Sequence, residues 1–163
     1  ELAQIALRKA RKAGAGYVDI RLLETRTQSV RARDRRISSL SDRFSSGYGV
    51  RALYGGAWGF AAGADFSPEG VRAVADMAVE VAKASATLMK TPVELAHEPV
   101  HRQVVRTPLE VDPFDVPLQE KCDLLLSASE VLNRPELIRR SYGSLWTQRD
   151  IKHFASTDGS VDR

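Results

Sequence analysis

The chain holds three histidines, and two of them stand in His97-Glu98-Pro99-Val100-His101. A His-Glu-x-x-His run suggests zinc chemistry only on a helix. There, residues i and i+4 lie one turn apart on one face, and the glutamate can activate a bound water. Pro99 opposes that geometry. Inside a helix it removes an N–H and clashes with the preceding turn, costing about 3 kcal/mol, and it drives Glu98 away from helical dihedrals. In an extended chain the two imidazoles stand about 13 Å apart, at about 3.3 Å per residue, too far to share one ion. The run therefore reads as surface histidines in a connector. No catalytic, cofactor-binding or metal-ligating residue is assigned in this chain.

Other residues with chemical potential also have structural explanations. Arg21, Arg26, Arg31, Arg33, Arg35 and Arg36 crowd one hairpin, and in a strand Arg31 and Arg33 share a face. Such a row could meet phosphates. No aromatic residues are interleaved for base stacking, and charged strands commonly protect a sheet edge, so nucleic acid is the less favoured partner. Cys122 sits on the apolar stripe of a helix, as a core residue would. Gly47-Tyr48-Gly49 and Gly55-Gly56-Ala57-Trp58-Gly59 lack the Gly-Lys-Ser/Thr and following helix of a phosphate loop, and read as hairpin glycines. Trp58 and Phe60 flank Gly59 and share one strand face. Sheet packing is their default reading, and a peptide-binding groove the functional alternative.

These residues need elements to hold them. Leu2, Ile5, Ala6, Lys9, Ala10 and Ala13 follow a helical repeat that Gly14 and Gly16 end. Val18, Ile20 and Leu22 alternate with Asp19 and Arg21 in a half-buried strand. A second extended segment covers 25–33, Asp34-Arg35 turns the chain, and Ser41–Ser46 reads as a polar loop. Tyr48–Leu53 and Ala57–Ala62 form a hairpin about Gly55-Gly56. Ser67-Pro68-Glu69 starts a helix whose face is Val71, Val74, Ala75, Ala78, Val81, Ala82 and Ser85.

Beyond Pro92, prolines break the chain up to Pro117, with Val100–Val105 as a short edge strand. Asp115 is the expected cap of a helix starting at Pro117, with Leu118, Cys122, Leu125, Ser129 and Leu132 buried. That helix is expected to end over Asn133–Pro135. Leu137–Thr147 and Ile151–Ser156 read as a hairpin, and Asp158-Gly159 as another turn.

The fold class is α+β: an antiparallel meander packed with two helices over residues 1–88, then a smaller α+β part with one helix and a hairpin. The expected division is an N-terminal domain at 1–90, a proline-rich extended connector at 91–116, and the start of a middle domain at 117–163.

Bulk properties set the class. With 43% hydrophobic and 28% charged residues over 163 positions, the chain can build a core and is not a disordered one. Residues 1–90 carry 15 Lys/Arg against 9 Asp/Glu, whereas 91–163 carry 9 against 12, so the two parts differ in character. No apolar stretch approaches the roughly 20 residues of a membrane span, and no signal peptide opens the chain. One cysteine excludes an internal disulfide framework. The expected compartment is the cytoplasm. A start at Glu1 and a stop four residues after a hairpin turn are expected of a fragment of a longer protein.

A family resemblance adds to this. Gly47-Tyr48-Gly49-Val50-Arg51-Ala52-Leu53 with Gly56-Ala57-Trp58-Gly59-Phe60-Ala61-Ala62 resembles the signature hairpin of the TldD/PmbA family, long labelled modulators of DNA gyrase. Gly14–Arg21 resembles its first helix-to-strand junction. Asp112-Pro113-Phe114, Val116-Pro117-Leu118, Glu120-Lys121 and Asp123-Leu124-Leu125 resemble its middle segment, and Phe154–Gly159 the strand and turn after that. The hairpin looks more like the TldD type than the PmbA type.

The resemblance implies a zinc metallopeptidase acting on peptides or unfolded protein segments. A metal-bearing subunit is typically paired with a metal-free relative, so a homo- or hetero-oligomer is implied. The family's metal motif, with three residues between Glu and the second His, is absent here. What carries over is a role: a non-catalytic N-terminal part forming subunit interface and chamber wall, with no cofactor of its own and zinc expected in the full-length protein. Exposed strands such as Ala57–Ala62 could pair with an extended peptide. The alternative is a metal-free protein- or peptide-binding module.

Overall fold

Asp34 and Arg35 both adopt positive φ, 50° and 64°. This is the two-residue hairpin connection whose twist suits paired strands, and it joins β1 (Tyr17–Arg33) to β2 (Arg36–Tyr54). Gly55 and Gly56, at 56° and 77°, make the same connection from β2 to β3 (Ala57–Gly63). The computed structural model describes residues 1–134, 138 and 140–162. Besides these strands it contains α1 (Leu2–Lys12), α2 (Pro68–Ala86), β4 (Arg102–Gln103), α3 (Leu118–Leu132), β5 (Tyr142–Ser156) and β6 (Val161–Asp162).

The class is α+β. The strands form one sheet of order β3-β2-β1-β5-β6-β4. It is mostly antiparallel, and β4 runs parallel to β6 through Arg102↔Val161. Contacts divide the chain into two units. The first is Glu1–Glu24, Ser46–Val105 and Ile151–Arg163; the second is Thr25–Ser45 and Arg106–Asp150. Because β1, β2 and β5 each supply residues to both, neither unit is continuous in sequence.

In the first unit, Val18, Ile20, Val50, Ala52 and Ala61 meet Ala6, Leu7 and Ala10 of α1 and Val71, Ala75, Ala78 and Val79 of α2 in one apolar core. Alanine dominates the helix faces, so the helices can approach the sheet closely. α2 starts where the sequence predicts: the Ser67 hydroxyl accepts the Gly70 N–H at 3.0 Å, and Pro68 and Glu69 open the helix. One member of its expected face is wrong. Val81 is exposed and Val79 is buried. The two flank the same stripe on opposite sides, and the helix's rotation on the sheet, which periodicity does not fix, decides between them. The expected strand Val100–Val105 shrinks to Arg102–Gln103.

The second unit brings more corrections. Ser41–Ser46 is no loop but part of β2. Its polar side chains reflect exposure, while its backbone stays in the ladder beside β1. The expected hairpin at Leu137–Thr147 and Ile151–Ser156 is, over the described residues, the single strand β5, with alternating burial running through Arg149. Asp150 does not turn the chain there; it accepts the Thr25 hydroxyl at 2.7 Å. Asp115 does not cap α3; Pro117 stands at the N-cap without a side-chain bond. The buried face of α3 is Lys121, Leu125 and Ser129, with Cys122 half-buried and Leu118 and Leu132 exposed. Lys121 is buried because its ammonium donates to the Gln28 amide oxygen. Pro135 and Leu137 lie outside the described residues.

A small polar core locks the β1–β2 turn. The Ser129 hydroxyl accepts the Arg35 N–H at 2.9 Å and pairs with the Ser141 hydroxyl at 2.9 Å. Asp34 accepts the Ser141 N–H, also at 2.9 Å. Left-handed φ at a non-glycine pair is unfavourable, and these bonds hold it.

Candidate functional site

The structure places the sequence's candidates one by one. His97 lies in an exposed segment without helix, so His97 and His101 do not share the helical face that a zinc pair needs. The His101 N–H donates to the Ser160 hydroxyl at 3.2 Å, and its carbonyl accepts the Val161 N–H. Among the described residues, no group of three or more His, Cys, Asp or Glu side chains could hold a metal ion.

The arginines are not one row. Arg26 is forked onto Asp42 at 3.1 and 2.8 Å and lies over the Phe114 ring. Arg35 donates to the Asn133 carbonyl, and Arg33 lies near Asp34 and over Tyr142.

Trp58 and Phe60, in contrast, belong to a constellation inside the first unit. Along β3, Ala57, Gly59 and Ala61 are buried, while Trp58 is half-buried and Phe60 is 59% exposed. The small residues face α2. A Cβ on Gly59 would overlap the Ala78 carbonyl oxygen and the Ala82 backbone. Helix and strand are therefore in backbone contact, and the aromatic residues are turned to the opposite face. There the Phe60 ring covers Gly49, where a Cβ would come within 2.8 Å of it.

Behind this ledge stands a buried ion pair. Asp19 on β1 is fully buried. Its Oδ2 accepts from Arg51 Nε at 2.9 Å and Nη2 at 2.6 Å. Its Oδ1 has no hydrogen-bond partner, and Arg21 Nη1 lies 3.8 Å away. The Arg51 guanidinium lies over the Trp58 ring, 4.8 Å from its centroid. Tyr17 meets Trp58 edge-on at 5.9 Å. Burial, then the charges of Asp19 and Asp158, raise the Tyr17 phenol above its ordinary pKa, while Arg51 and a Ser156 hydrogen bond oppose them. Tyr17 is therefore a neutral hydroxyl around pH 7, and Trp58 is held from two sides.

Sequence reasoning found Trp58 and Phe60 but missed Tyr17, Asp19 and Arg51. Asp19 sat in the alternation as a solvent-facing residue. Only the register Arg51↔Phe60 and Leu53↔Trp58 brings the parts together. The signal available was an acid and an arginine at equivalent phases of neighbouring strands.

A cavity of about 880 Å³ also opens in the first unit, between apolar Leu22, Phe154 and Val161 and polar Arg102, His153 and Asp162. Asp162 Oδ1 is buried there without a partner.

Comparison with known proteins adds a family to this fold. Residues 18–82, which hold β1 to β3 and most of α2, match the family model described as PmbA/TldA metallopeptidase domain 1. The chain is 24% identical over 151 residues to the metalloprotease MJ0996 of Methanocaldococcus jannaschii, covering 90% of this chain and 34% of that protein. It is 32% identical over 146 residues to a metalloprotease of Methanothermobacter thermautotrophicus, covering 89% and 30%. The chain thus spans about a third of these relatives' length.

Among solved structures, TldE from Thermococcus kodakarensis shares the fold with TM-score 0.70 at 17% identity, over 99% of this chain and 36% of that one. A candidate modulator of DNA gyrase from Bacteroides thetaiotaomicron does so with TM-score 0.79 at 17% identity, over 98% and 37%. The match over residues 18–82 identifies a first domain of the PmbA/TldA metallopeptidase family. The chain belongs to the TldD/PmbA family.

Proposed function

We propose that this chain is the non-catalytic N-terminal part of a TldD/PmbA-type metallopeptidase that hydrolyses peptides or unfolded protein segments. In that role it forms subunit interface and part of the chamber wall past which substrate reaches the metal. The observation that carries the reading is the ledge of Trp58 and Phe60. It lies within the family-matched residues, faces away from the core, and is braced by the Asp19–Arg51 pair. A rigid aromatic surface offers apolar contact area at little ordering cost. The zinc ion would be held by residues outside this chain.

The test uses the longer protein that carries this chain. Loaded with zinc, it should cleave an unfolded protein such as reduced casein and lose that activity to a chelator. Trp58→Ala should raise KM with kcat unchanged, as loss of ground-state binding does. Cleavage by the 163-residue chain alone would contradict the proposal.

A further inference from the structure

We infer that the open face of β2, β1 and β5 in the second unit binds single-stranded nucleic acid, with bases stacked on Trp146 and Tyr142 and phosphates met by Arg31, Arg33, Arg36 and Arg43. Two points of sequence argue against such a reading of the arginines. Charged strands commonly guard a sheet edge, and no aromatic residues are interleaved among them. The fold removes both. β1 lies between β2 and β5, so Arg31 and Arg33 guard no edge. The rings come from β5, far on in the sequence.

Strand alternation places these side chains together. Val30 and Ala32 of β1 and Leu145 of β5 pack with Leu125 of α3, so Arg31, Arg33, Tyr142 and Trp146 take the other face. Two contacts bear out the shared side. Arg33 lies over the Tyr142 ring, 5.3 Å from its centroid, and the Thr25 hydroxyl meets Asp150. On β2, Arg36 stands across the two-residue turn from Arg33. Asp42 bonds Arg26 and Gln28, and Gln28 bonds Lys121 of α3, so Arg43 takes the open side as well. All of these residues belong to the second unit.

Trp146 and Tyr142 are each 64% exposed. On one face of β5 they stand about 13 Å apart, at about 3.3 Å per residue, which leaves room for a base on each. Thr27 and Ser29 of β1 are short, so the rings and guanidiniums stand above them. Arg31, Arg36 and Arg43 are exposed and make no ion pair among the described residues. Of the acids, Asp34 is 3.5 Å from Arg33, and Asp150 is taken by Thr25 and Gln148. The face is therefore rich in guanidinium that a polyanion can meet. Among polyanions, a nucleic acid also brings π-faces for the two rings. Rings on a flat sheet reach only bases free of a duplex stack, which selects single strands.

The probe is a fluorescein-labelled oligothymidylate of about twelve nucleotides, within the span that such surfaces cover. It is mixed at low salt with the longer protein that carries this chain. Anisotropy should show saturable binding that weakens as salt rises. Trp146→Ala and Tyr142→Ala should each weaken it about ten-fold, the cost of one lost stack, and Trp146→Phe should restore most of it. Arg31→Ser and Arg43→Ser should each reduce the slope of log K against log salt by about 0.7. Duplex of the same length should bind about ten-fold more weakly or worse. All four side chains are exposed, so their loss leaves the fold in place.

Absence of binding at low salt would overturn the proposal, as would unchanged binding by the two alanine variants or equal binding of the duplex. So would polyglutamate or phosphatidylserine vesicles that bind as tightly and lose as much in Trp146→Ala, since the face would then belong to an acidic protein or a membrane surface. The inference goes beyond the proposed function and does not rest on it. Hydrolysis without oligonucleotide binding would sink this face alone, and binding without hydrolysis would sink the proposed function alone.

Discussion

Arg51 grips Asp19 through both Nε and Nη2, on a single carboxylate oxygen, and that carboxylate is closed off from solvent. A buried carboxylate stripped of its partner is far costlier than the pair itself is worth. Arg51→Met should therefore destabilise the chain by about 2–3 kcal/mol. That is less than the 3–5 kcal/mol of a wholly buried pair, because the Arg51 side chain is 38% exposed and partly screened by water. Asp19→Asn combined with Arg51→Met should recover much of the loss. Urea unfolding of the two variants checks this, and a loss below about 0.5 kcal/mol for Arg51→Met would refute it.

Gly59→Ala places a methyl group against the Ala78 carbonyl oxygen and the Ala82 backbone. Backbone yields less readily than a side-chain tip, so α2 would have to lift off β3. A loss of about 3 kcal/mol or more is expected, at the upper end for overpacked sites. Thermal unfolding measures it. Ala62→Ser, on the opposite face of the same strand, should stay within about 0.5 kcal/mol.

Ser129→Ala removes the acceptor of the Arg35 N–H and a partner of Ser141. The expected cost is about 1–3 kcal/mol, that of leaving buried polar groups unpaired. Arg35→Gly should move the other way. It keeps the N–H bond, relieves a φ of 64° and gives up only an exposed guanidinium bond to Asn133. A small rise in Tm is expected, and a clear fall would show that this bond outweighs the backbone strain.

Acid should test the turn after β5. The Ser156 hydroxyl first, then the Ser160 N–H, hold the Asp158 carboxyl below its ordinary pKa, against a smaller effect of burial. A carboxylate with a lowered folded pKa stabilises above its unfolded value of about 3.9 and loses that contribution as pH falls through the folded value. Stability should thus decline more below pH 4 in the native chain than in Asp158→Asn. Parallel acid limbs in the two proteins would contradict this.

What the sequence made legible was local. Asp34-Arg35 and Gly55-Gly56 marked turns, Ser67-Pro68-Glu69 marked a helix start, and the alternation about Val18 and Ile20 marked a strand. What stayed hidden depended on partners distant in sequence. Ser41–Ser46 looked like a loop because polarity reports exposure, and nothing local reveals a neighbouring strand. Gln148–Asp150 looked like a turn because Asp150's partner, Thr25, lies 125 positions away. Asp19 looked solvated because its cover is Arg51, on the next strand. The aromatic ledge was half legible: the phase of Trp58 and Phe60 follows from alternation, but its brace does not.

Interleaving has a consequence for the order of events at the ribosome. Val18 gives its N–H to the Thr157 hydroxyl at 3.0 Å and accepts the Thr157 N–H at 2.9 Å, across 139 positions. Ala155 belongs to the same core as Ala6 and Val18. Residues near position 18 therefore wait for those near position 157 before their sheet is complete. Until then one side of β1 has no neighbour. Synthesis from one end gives no head start to a fold of such long closures; the first unit can close only when translation has passed residue 157.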